Sequence, residues 1–205
     1  MFDNIYHGRL SIGHPLEQTM RKSRQEAAET RERIVKVAAR EFNESGIQST
    51  GLTEIMAAAG LTHGGFYKHF SSKDQLVAEA VEAALERIAD SMQSPKANRS
   101  LEETVGVYLS KKHRDNSEEA CPLASVGSEL RHADQDTRQI ASKGVEQIIT
   151  IIASHLPELP PKEAKARAHG IAAAMIGGMM LSRIVTDPKL SDSLLRDTKA
   201  FVLKH

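Results

Sequence analysis

Residues 52–70 read LTEIMAAAGLTHGGFYKHF, and this stretch decides the fold of the N-terminal part of the chain. Its first eight residues have the composition of a short helix, residues 60–62 form a turn, and residues 63–70 predict a second short helix. A tight turn between two packed helices needs a residue that tolerates positive φ, and Gly60 meets that need. The pattern predicts a helix-turn-helix.

The side chains of this stretch divide into an inward and an outward set. Ile55, Leu61 and Phe66 have the spacing of a small core that fixes the angle between the two helices. The polar residues then face outward as hydrogen-bond donors: Thr62, His63, Tyr67, Lys68, His69 and Lys73. Such a surface suits phosphates and the edges of bases.

Two adjacent glycines, Gly64 and Gly65, stand inside the second predicted helix. A glycine in a helix interior costs about 1 kcal/mol, so the pair needs an explanation. Two explanations stay open. The backbone approaches DNA closely there, or both glycines lie in the first helical turn, where the cost is lower.

The remaining sequence predicts further helices and no strands. Apolar residues recur at helical spacing, no stretch alternates with a period of two, and good helix formers dominate. Capping patterns and prolines mark the boundaries. The expected helices cover about 73–92, 101–114, 122–133, 135–155, 162–186 and 190–203, which makes the protein all-α.

The formal net charge of zero, 27 Lys and Arg against 27 Asp and Glu, is an average over unlike regions. Residues 20–73 hold nine Lys and Arg against six Asp and Glu, whereas residues 74–205 have a small acidic excess. The basic excess therefore coincides with the predicted helix-turn-helix, the region that DNA would meet.

Several classes of protein are excluded or disfavoured. The longest apolar run, 171–181, is shorter than the ~20 residues of a membrane span, so no membrane partner is expected. Residues 1–19 lack the apolar core of a signal peptide, and Met20 is a second candidate start. A single cysteine indicates a reducing compartment, so we expect a cytoplasmic protein. No catalytic motif or metal-ligand pattern appears, which predicts no enzyme activity, no catalytic residues, no cofactor and no metal.

The single cysteine, Cys121, has two interpretations. It precedes Pro122 at a predicted helix start, where the helix dipole would stabilise a thiolate and make Cys121 a sensor of electrophiles or oxidants. Alternatively it is a small buried residue. His132 lies 11 residues away, about 16 Å along one helix, which is too far for a Cys–His dyad. His113, flanked by basic residues, is expected to be solvated at a helix end.

The order of these residues resembles the DNA-binding domain of the tetracycline-repressor (TetR/AcrR) family of transcriptional regulators. The resemblance covers about 26–86. It rests on residues 30–39 (TRERIVKVAA), 59–62 (AGLT) and 66–70 (FYKHF), together with Phe42, Gly46, Ile55, Gly64, Lys73 and Leu76. It implies a homodimer whose third helix enters the major groove, and a helical C-terminal domain that binds a small inducer and dimerises.

The resemblance also assigns roles to individual residues. Thr53, Thr62, His63, Gly64 and Gly65 match base-contacting or groove-approaching positions. Tyr67, His69 and Lys73 match phosphate contacts, and Lys68 is a further outward candidate. Gly51 stands where the family often has Ser or Thr, so a cap or phosphate contact is absent there unless Thr50 replaces it.

Three regions and one function are therefore predicted. Residues 1–25 form a disordered tail, 26–86 the helix-turn-helix domain, and 87–205 the ligand-binding and dimerisation domain. The expected function is a repressor that binds double-stranded operator DNA and is released by a small-molecule inducer. The alternatives are a thiol-based electrophile or redox switch through Cys121, and a helical small-molecule-binding protein without a DNA function.

Overall fold

The structure, a computed structural model, describes residues 15–93 and 99–204, and every regular element in them is helical. The predicted all-α class is confirmed for this part of the chain. A 3-10 helix spans His63–Lys68. The α-helices are α1 Pro15–Ser45, α2 Leu52–Ala58, α3 Lys73–Gln93, α4 Leu101–Tyr108, α5 Lys111–Asp115, α6 Pro122–Ser125, α7 Gly127–Leu130, α8 Gln135–Ser154, α9 Pro161–Ile184 and α10 Pro188–Lys204.

The first helix starts earlier than the sequence predicts. The predicted disordered tail covered residues 1–25, but α1 begins at Pro15, so the prediction is wrong for residues 15–25. Proline is well tolerated in a first helical turn, where its missing N–H has no partner to lose. Residues 1–14 lie outside the described residues.

The predicted helix over 101–114 is interrupted. Helix α4 ends at Tyr108, and Leu109 leaves the helical conformation with ψ of 51°. Ser110 then caps a new helix, α5, because its hydroxyl accepts a hydrogen bond from the backbone N–H of His113. Serine before a helical run is a start signal, and here it sets the break.

The predicted helix over 122–133 is also divided. Val126, with φ of −124° and ψ of 18°, separates α6 from α7. The long helices α3, α8, α9 and α10 agree with their predictions to within two residues at each end. Local signals therefore located the long helices, whereas the short ones depend on their tertiary surroundings.

Helix α3 joins the two halves of the molecule. It packs against α1 on one side and α8 on the other, and α9 lies between α8 and α10. The crossing of α3 and α8 is close because Gly144 has no side chain: a Cβ there would lie 2.5 Å from Cδ1 of Leu85. The buried core runs without interruption from Phe42 and Ile55 to Met175 and Met179.

Loops of the C-terminal half contact the N-terminal half directly. The Asn43 side-chain amide in α1 donates to the carbonyl oxygen of Ala120 at 3.3 Å. The backbone N–H of Gln48 donates to Oε2 of Glu129 at 2.8 Å. The C-terminal half is thus hydrogen-bonded both to α1, through Asn43, and to the loop between α1 and α2, through Gln48.

Candidate nucleic-acid interface

The predicted small core exists and holds the helix-turn-helix together. Ile55 and Phe66 are fully buried and Leu61 is half-buried. Gly60 has a φ of 72°, as the tight turn requires, and the turn closes with a hydrogen bond of 2.8 Å from the N–H of Leu61 to the carbonyl of Met56. The angle between α2 and the following element is therefore fixed.

The element after the turn is a short helix, as the sequence predicts, and its form is 3-10. Residues Gly65 and His69 donate to carbonyls three positions earlier, at 2.9 Å each. Low helix propensity at two consecutive glycines and the shortness of the element favour this tighter form. The 3-10 helix His63–Lys68 is called the recognition segment below.

Most of the predicted contact residues form one exposed surface. Thr53, Thr62, His63, Gly64, Tyr67 and Lys68 are exposed, while Gly65, His69 and Lys73 are half-buried. The surface is continuous across two elements because Oγ1 of Thr53 in α2 lies 3.3 Å from Nδ1 of His63. Tyr67, with 65% of its surface exposed, lies edge-on to His63. Hydroxyl, imidazole and ammonium donors thus share one face.

Gly64 has no internal reason to be glycine. An added Cβ would find no atom within 4 Å, and its φ is not in the left-handed region. At Gly65 an added Cβ would make ordinary contacts, the nearest with Cε of Met56 at 3.6 Å. Packing therefore requires glycine at neither position. This agrees with both explanations of the pair: close approach of DNA to the backbone, and the lower cost of glycine in a first helical turn.

Lys73 has a structural role that the sequence did not reveal. Its Nζ donates to the carbonyl oxygens of Ile47 and Thr50, both at 2.7 Å. Two of the three ammonium hydrogens are therefore used within the chain. Lys73 holds the loop between α1 and α2 in place, and only one hydrogen remains for a phosphate.

Arg31 positions the end of the recognition segment, and the sequence analysis missed it. Its guanidinium donates to the carbonyl of His69, pairs with Glu79 of α3 and lies 4.2 Å from the centre of the Phe70 ring. Arginine is suited to such a site because its planar group forms several hydrogen bonds while stacking on a ring. The signal was weak, since all three partners lie 38 or more residues away.

The cap at the start of α2 differs from the expectation. Gly51 is the N-cap and offers no side-chain acceptor. Thr50 does not replace it, because Thr50 is buried and its hydroxyl donates to the carbonyl of Gly46 at 2.6 Å. Glu54 supplies the remaining contact, with its carboxylate accepting from the N–H of Gly51 at 3.0 Å.

Cys121 does not have the environment of a reactive thiolate. It is fully buried, and burial raises the pKa of its thiol. The helix that follows has only four residues, Pro122–Ser125, so its dipole is small. Hydrogen bonds from the backbone of Leu123 and Ala124 at this helix start lower the pKa, but burial outweighs them, so the alternative of a small buried residue agrees with the structure.

A cavity of about 440 Å³ opens in the C-terminal half between α3, α4 and α5, and is called the α3–α4 cavity below. His113 lines it and is only 8% exposed, so the expectation of a solvated His113 is wrong. The imidazole is turned inward because Nδ1 lies 2.7 Å from the carbonyl oxygen of Tyr108. Arg183 of α9 covers the neighbouring backbone, donating to the carbonyl of His113 at 3.0 Å.

Comparison with known proteins shows what the helix-turn-helix is similar to. The family model described as "Bacterial regulatory proteins, tetR family" matches residues 34–80, which contain the buried core, the turn and the recognition segment. These residues form a helix-turn-helix domain of the kind that this family model describes.

Sequence similarity to transcriptional regulators is concentrated in this domain. The chain is 46% identical to the transcriptional regulator AcrR of Shigella flexneri over 70 residues, which cover 34% of this chain and 33% of AcrR. It is 48% identical to the transcriptional repressor BepR of Brucella suis over 54 residues, or 26% of each chain. The matched region thus spans about a third of AcrR and about a quarter of BepR.

The tetR family fold extends over the rest of the chain. A TetR transcriptional regulator from Legionella pneumophila superposes with a TM-score of 0.73 at 19% identity, covering 84% of this chain and 94% of that one. At this identity the likeness shows the fold alone. Within residues 15–93 and 99–204, no helix combines the length and the apolar composition needed to cross a bilayer.

Proposed function

We propose that the protein is a repressor that binds double-stranded operator DNA as a homodimer and is released by a small-molecule inducer. The observation that carries the proposal is the exposed surface of Thr53, His63, Tyr67 and Lys68 on a rigid core. Apart from the contact of 3.3 Å between Thr53 and His63, their polar atoms have no hydrogen-bond partner among the described residues, and groups of this kind suit base edges and phosphates. BepR, a relative in this domain, is named a repressor. We place the protein in the cytoplasm, where it meets DNA.

Within this interface the residues divide into two roles. Thr53, Thr62, His63 and the backbone at Gly64 and Gly65 approach the bases. Tyr67, Lys68 and His69 contact phosphates, with the remaining hydrogen of Lys73. Both roles are needed, because phosphate contacts fix the register and base contacts provide the sequence preference.

A second copy of the chain is proposed to cover α9 and α10. The sequence run 171–181 is apolar all round, yet α9 buries only one face within the chain. Its other face is exposed at Met180, Leu181 and Ile184 and half-buried at Gly177, and these positions recur at helical spacing. Leu190 and Phe201 extend the exposed apolar surface onto α10. An apolar stripe of this length is a typical protein interface.

The two adjacent glycines of α9 differ in their surroundings: Gly178 packs against α10, and Gly177 faces the proposed second chain. A Cβ at Gly178 would lie 2.7 Å from Oγ1 of Thr198, so Gly178 permits close packing against α10. A Cβ at Gly177 would meet nothing within 4 Å, which leaves this position open to a second chain. Light scattering at micromolar concentration is expected to give the mass of a dimer for the native chain and of a monomer for Leu181→Glu. Monomeric native protein would contradict this part of the proposal.

Coupling between the two halves follows from the contacts at the loop between α1 and α2. A ligand in the C-terminal half releases DNA only if it binds two arrangements of the heads with different affinity. The hydrogen bonds of Asn43 with Ala120 and of Gln48 with Glu129 join residues of the two halves. A shift of residues 117–129 would therefore move the α1–α2 loop.

A gel-shift assay over a range of salt concentrations tests the DNA function. The probes are the DNA that flanks the protein's own gene and a random fragment of equal length. We expect a specific complex whose affinity exceeds that for the random fragment by about 10³-fold or more. Equal affinity at every salt concentration would favour the alternative of a small-molecule-binding protein without a DNA function.

A further inference from the structure

The α3–α4 cavity contains polar atoms that the fold leaves without partners. Oγ1 of Thr104, which is 1% exposed, and Nε2 of His113 are buried and have no hydrogen-bond partner among the described residues. A buried polar atom that is left unpaired destabilises the folded protein. Both residues line the same cavity, whose volume lies in the range of small-molecule pockets. The arrangement indicates a site that a ligand completes.

The protonation of His113 decides what the ligand must offer. Its Nδ1 lies 2.7 Å from the carbonyl oxygen of Tyr108, and a carbonyl accepts only, so Nδ1 carries a hydrogen. Burial lowers the pKa of His113, although the Tyr108 carbonyl and, more weakly, Glu119 oppose this shift. At neutral pH the ring is therefore neutral, and Nε2 is an acceptor that requires an O–H or N–H group from a ligand.

The charges around the cavity favour an anion. Arg87 is half-buried, and its guanidinium donates to the carbonyl of Glu118 at 3.2 Å. No carboxylate lies within 4 Å of it in the part of the chain that the structure describes. The other charged lining residues are Arg99 and Lys112, against Asp90 and Glu119. Three cations thus face two carboxylates.

Besides Ser91 and Ser110, the remaining lining is apolar and aromatic. Ile88 and Met92 are buried side chains of α3, and the Tyr108 ring packs edge-on against His113 with 4.7 Å between the ring centres. Flat apolar groups are well accommodated between such side chains. A ligand therefore needs an apolar body between its polar ends.

We propose that the α3–α4 cavity binds a small hydroxy acid with an apolar body. Its carboxylate pairs with Arg87, its hydroxyl donates to Nε2 of His113, and its ring or chain lies against Ile88 and Met92. Thr104 supplies a further hydrogen bond to the same ligand.

The effect of this ligand on DNA rests on the proposed function, whereas its binding does not. Arg87 donates to the carbonyl of Glu118, two residues before Ala120, whose carbonyl accepts from Asn43 in α1. A carboxylate that draws Arg87 into the cavity changes the position of this segment. The ligand would thereby act on the contact that joins the two halves.

Titration calorimetry on the DNA-free protein tests the proposal with four matched probes. 4-Hydroxycinnamate carries both groups, cinnamate lacks the hydroxyl, 4-hydroxycinnamamide lacks the charge, and tyramine carries a cation. We expect 4-hydroxycinnamate to bind, cinnamate to bind roughly 3- to 10-fold more weakly, and the amide at least about 10-fold more weakly. No binding is expected for tyramine.

Variants locate the site. Arg87→Met and His113→Phe are expected to weaken 4-hydroxycinnamate binding about 10-fold or more, while Arg138→Met and His132→Phe, at exposed positions, leave it unchanged. Thr104→Val, which is nearly the same shape, is the variant to rely on if His113→Phe does not fold. It is expected to weaken binding about 3- to 10-fold with native helicity.

Three results would overturn the proposal: no binding of 4-hydroxycinnamate at millimolar concentration, binding of cinnamate or of the amide as tight as that of 4-hydroxycinnamate, or stronger binding of tyramine. Because the calorimetry uses no DNA, its result is independent of the gel-shift assay. Operator binding without acid binding removes only this inference. Acid binding without operator binding removes only the proposed repressor function.

Discussion

The helix-turn-helix domain and the C-terminal half orient their unused polar groups in opposite directions. In the helix-turn-helix, His63 and Lys68 point to solvent from a closed core. In the C-terminal half, Thr104 and His113 point inward to a cavity with polar atoms unpaired. Polar groups that the fold does not use mark the place where a partner supplies the missing contacts. The helix-turn-helix therefore suits a large external partner, and the C-terminal half suits a small enclosed ligand.

Cys121 is expected to show the largest effect, because it is fully buried in the C-terminal half. Its full burial and raised pKa predict alkylation that is slower, by roughly two orders of magnitude or more, in the native protein than in the unfolded chain. The measurement is the rate of reaction with a thiol reagent with and without denaturant. A native rate close to the unfolded rate would revive the alternative of an electrophile or redox switch.

Gly64 tests whether the outward surface approaches DNA closely. Gly64→Leu is expected to weaken operator binding roughly 10- to 100-fold, the cost of about 1–3 kcal/mol of lost base contacts, because a side chain would separate backbone and groove. Its thermal stability should stay native, since an added Cβ meets no atom.

Gln139→Leu is the control for an added exposed leucine, because Gln139 is also exposed but lies on α8, away from the DNA surface and from the proposed dimer surface. It should leave operator binding unchanged. If both variants bound the operator equally well, the explanation for Gly64 would be the lower cost of glycine in a first helical turn.

His63 tests sequence preference. His63→Ala is expected to cost about 1–3 kcal/mol on the operator and little on random DNA, since a base contact is lost and no phosphate contact. Fluorescence anisotropy titrations with both DNAs measure the difference. Equal losses on the two DNAs would assign His63 to the phosphate backbone.

Lys68 and Lys73 are expected to differ in role, because Lys68 contacts DNA whereas Lys73 mainly stabilises the fold. Lys68→Ala is expected to weaken binding to all sequences and to reduce the salt slope by about one for each head that binds, with stability unchanged. Lys73→Ala is expected to lower the free energy of unfolding by about 1.5–3 kcal/mol, because two charged hydrogen bonds to Ile47 and Thr50 are lost. The two roles would be exchanged if Lys68→Ala lowered the free energy of unfolding in chemical denaturation and Lys73→Ala reduced the salt slope with stability unchanged.

How far sequence predicts structure also differs between the two regions. The helix-turn-helix depends on contacts between near neighbours such as Ile55, Gly60 and Phe66, so spacing alone identified it. For its recognition segment the sequence predicted a short helix but not whether the form is α or 3-10, because two glycines allow either. The roles of Arg31 and Lys73 were missed, since their partners are brought close only by the fold.

The cavity was beyond sequence reasoning for the same physical reason. His113 is buried by α9, and its backbone carbonyl accepts from Arg183, 70 residues later. The basic neighbours of His113 suggested a solvated helix end instead. Only Ser110 gave a local signal, as a capping residue inside the predicted helix, and it would have shown where α4 ends.

Hydroxyl-radical footprinting on the DNA that flanks the gene tests whether two copies of the outward surface read DNA together. Two protected patches are expected on one face of the duplex, their centres about one helical turn or a multiple of it apart. Both patches should disappear with Gly64→Leu and persist with Gln139→Leu. Uniform protection, or patches that Gly64→Leu leaves intact, would show that the two copies do not read DNA in this way.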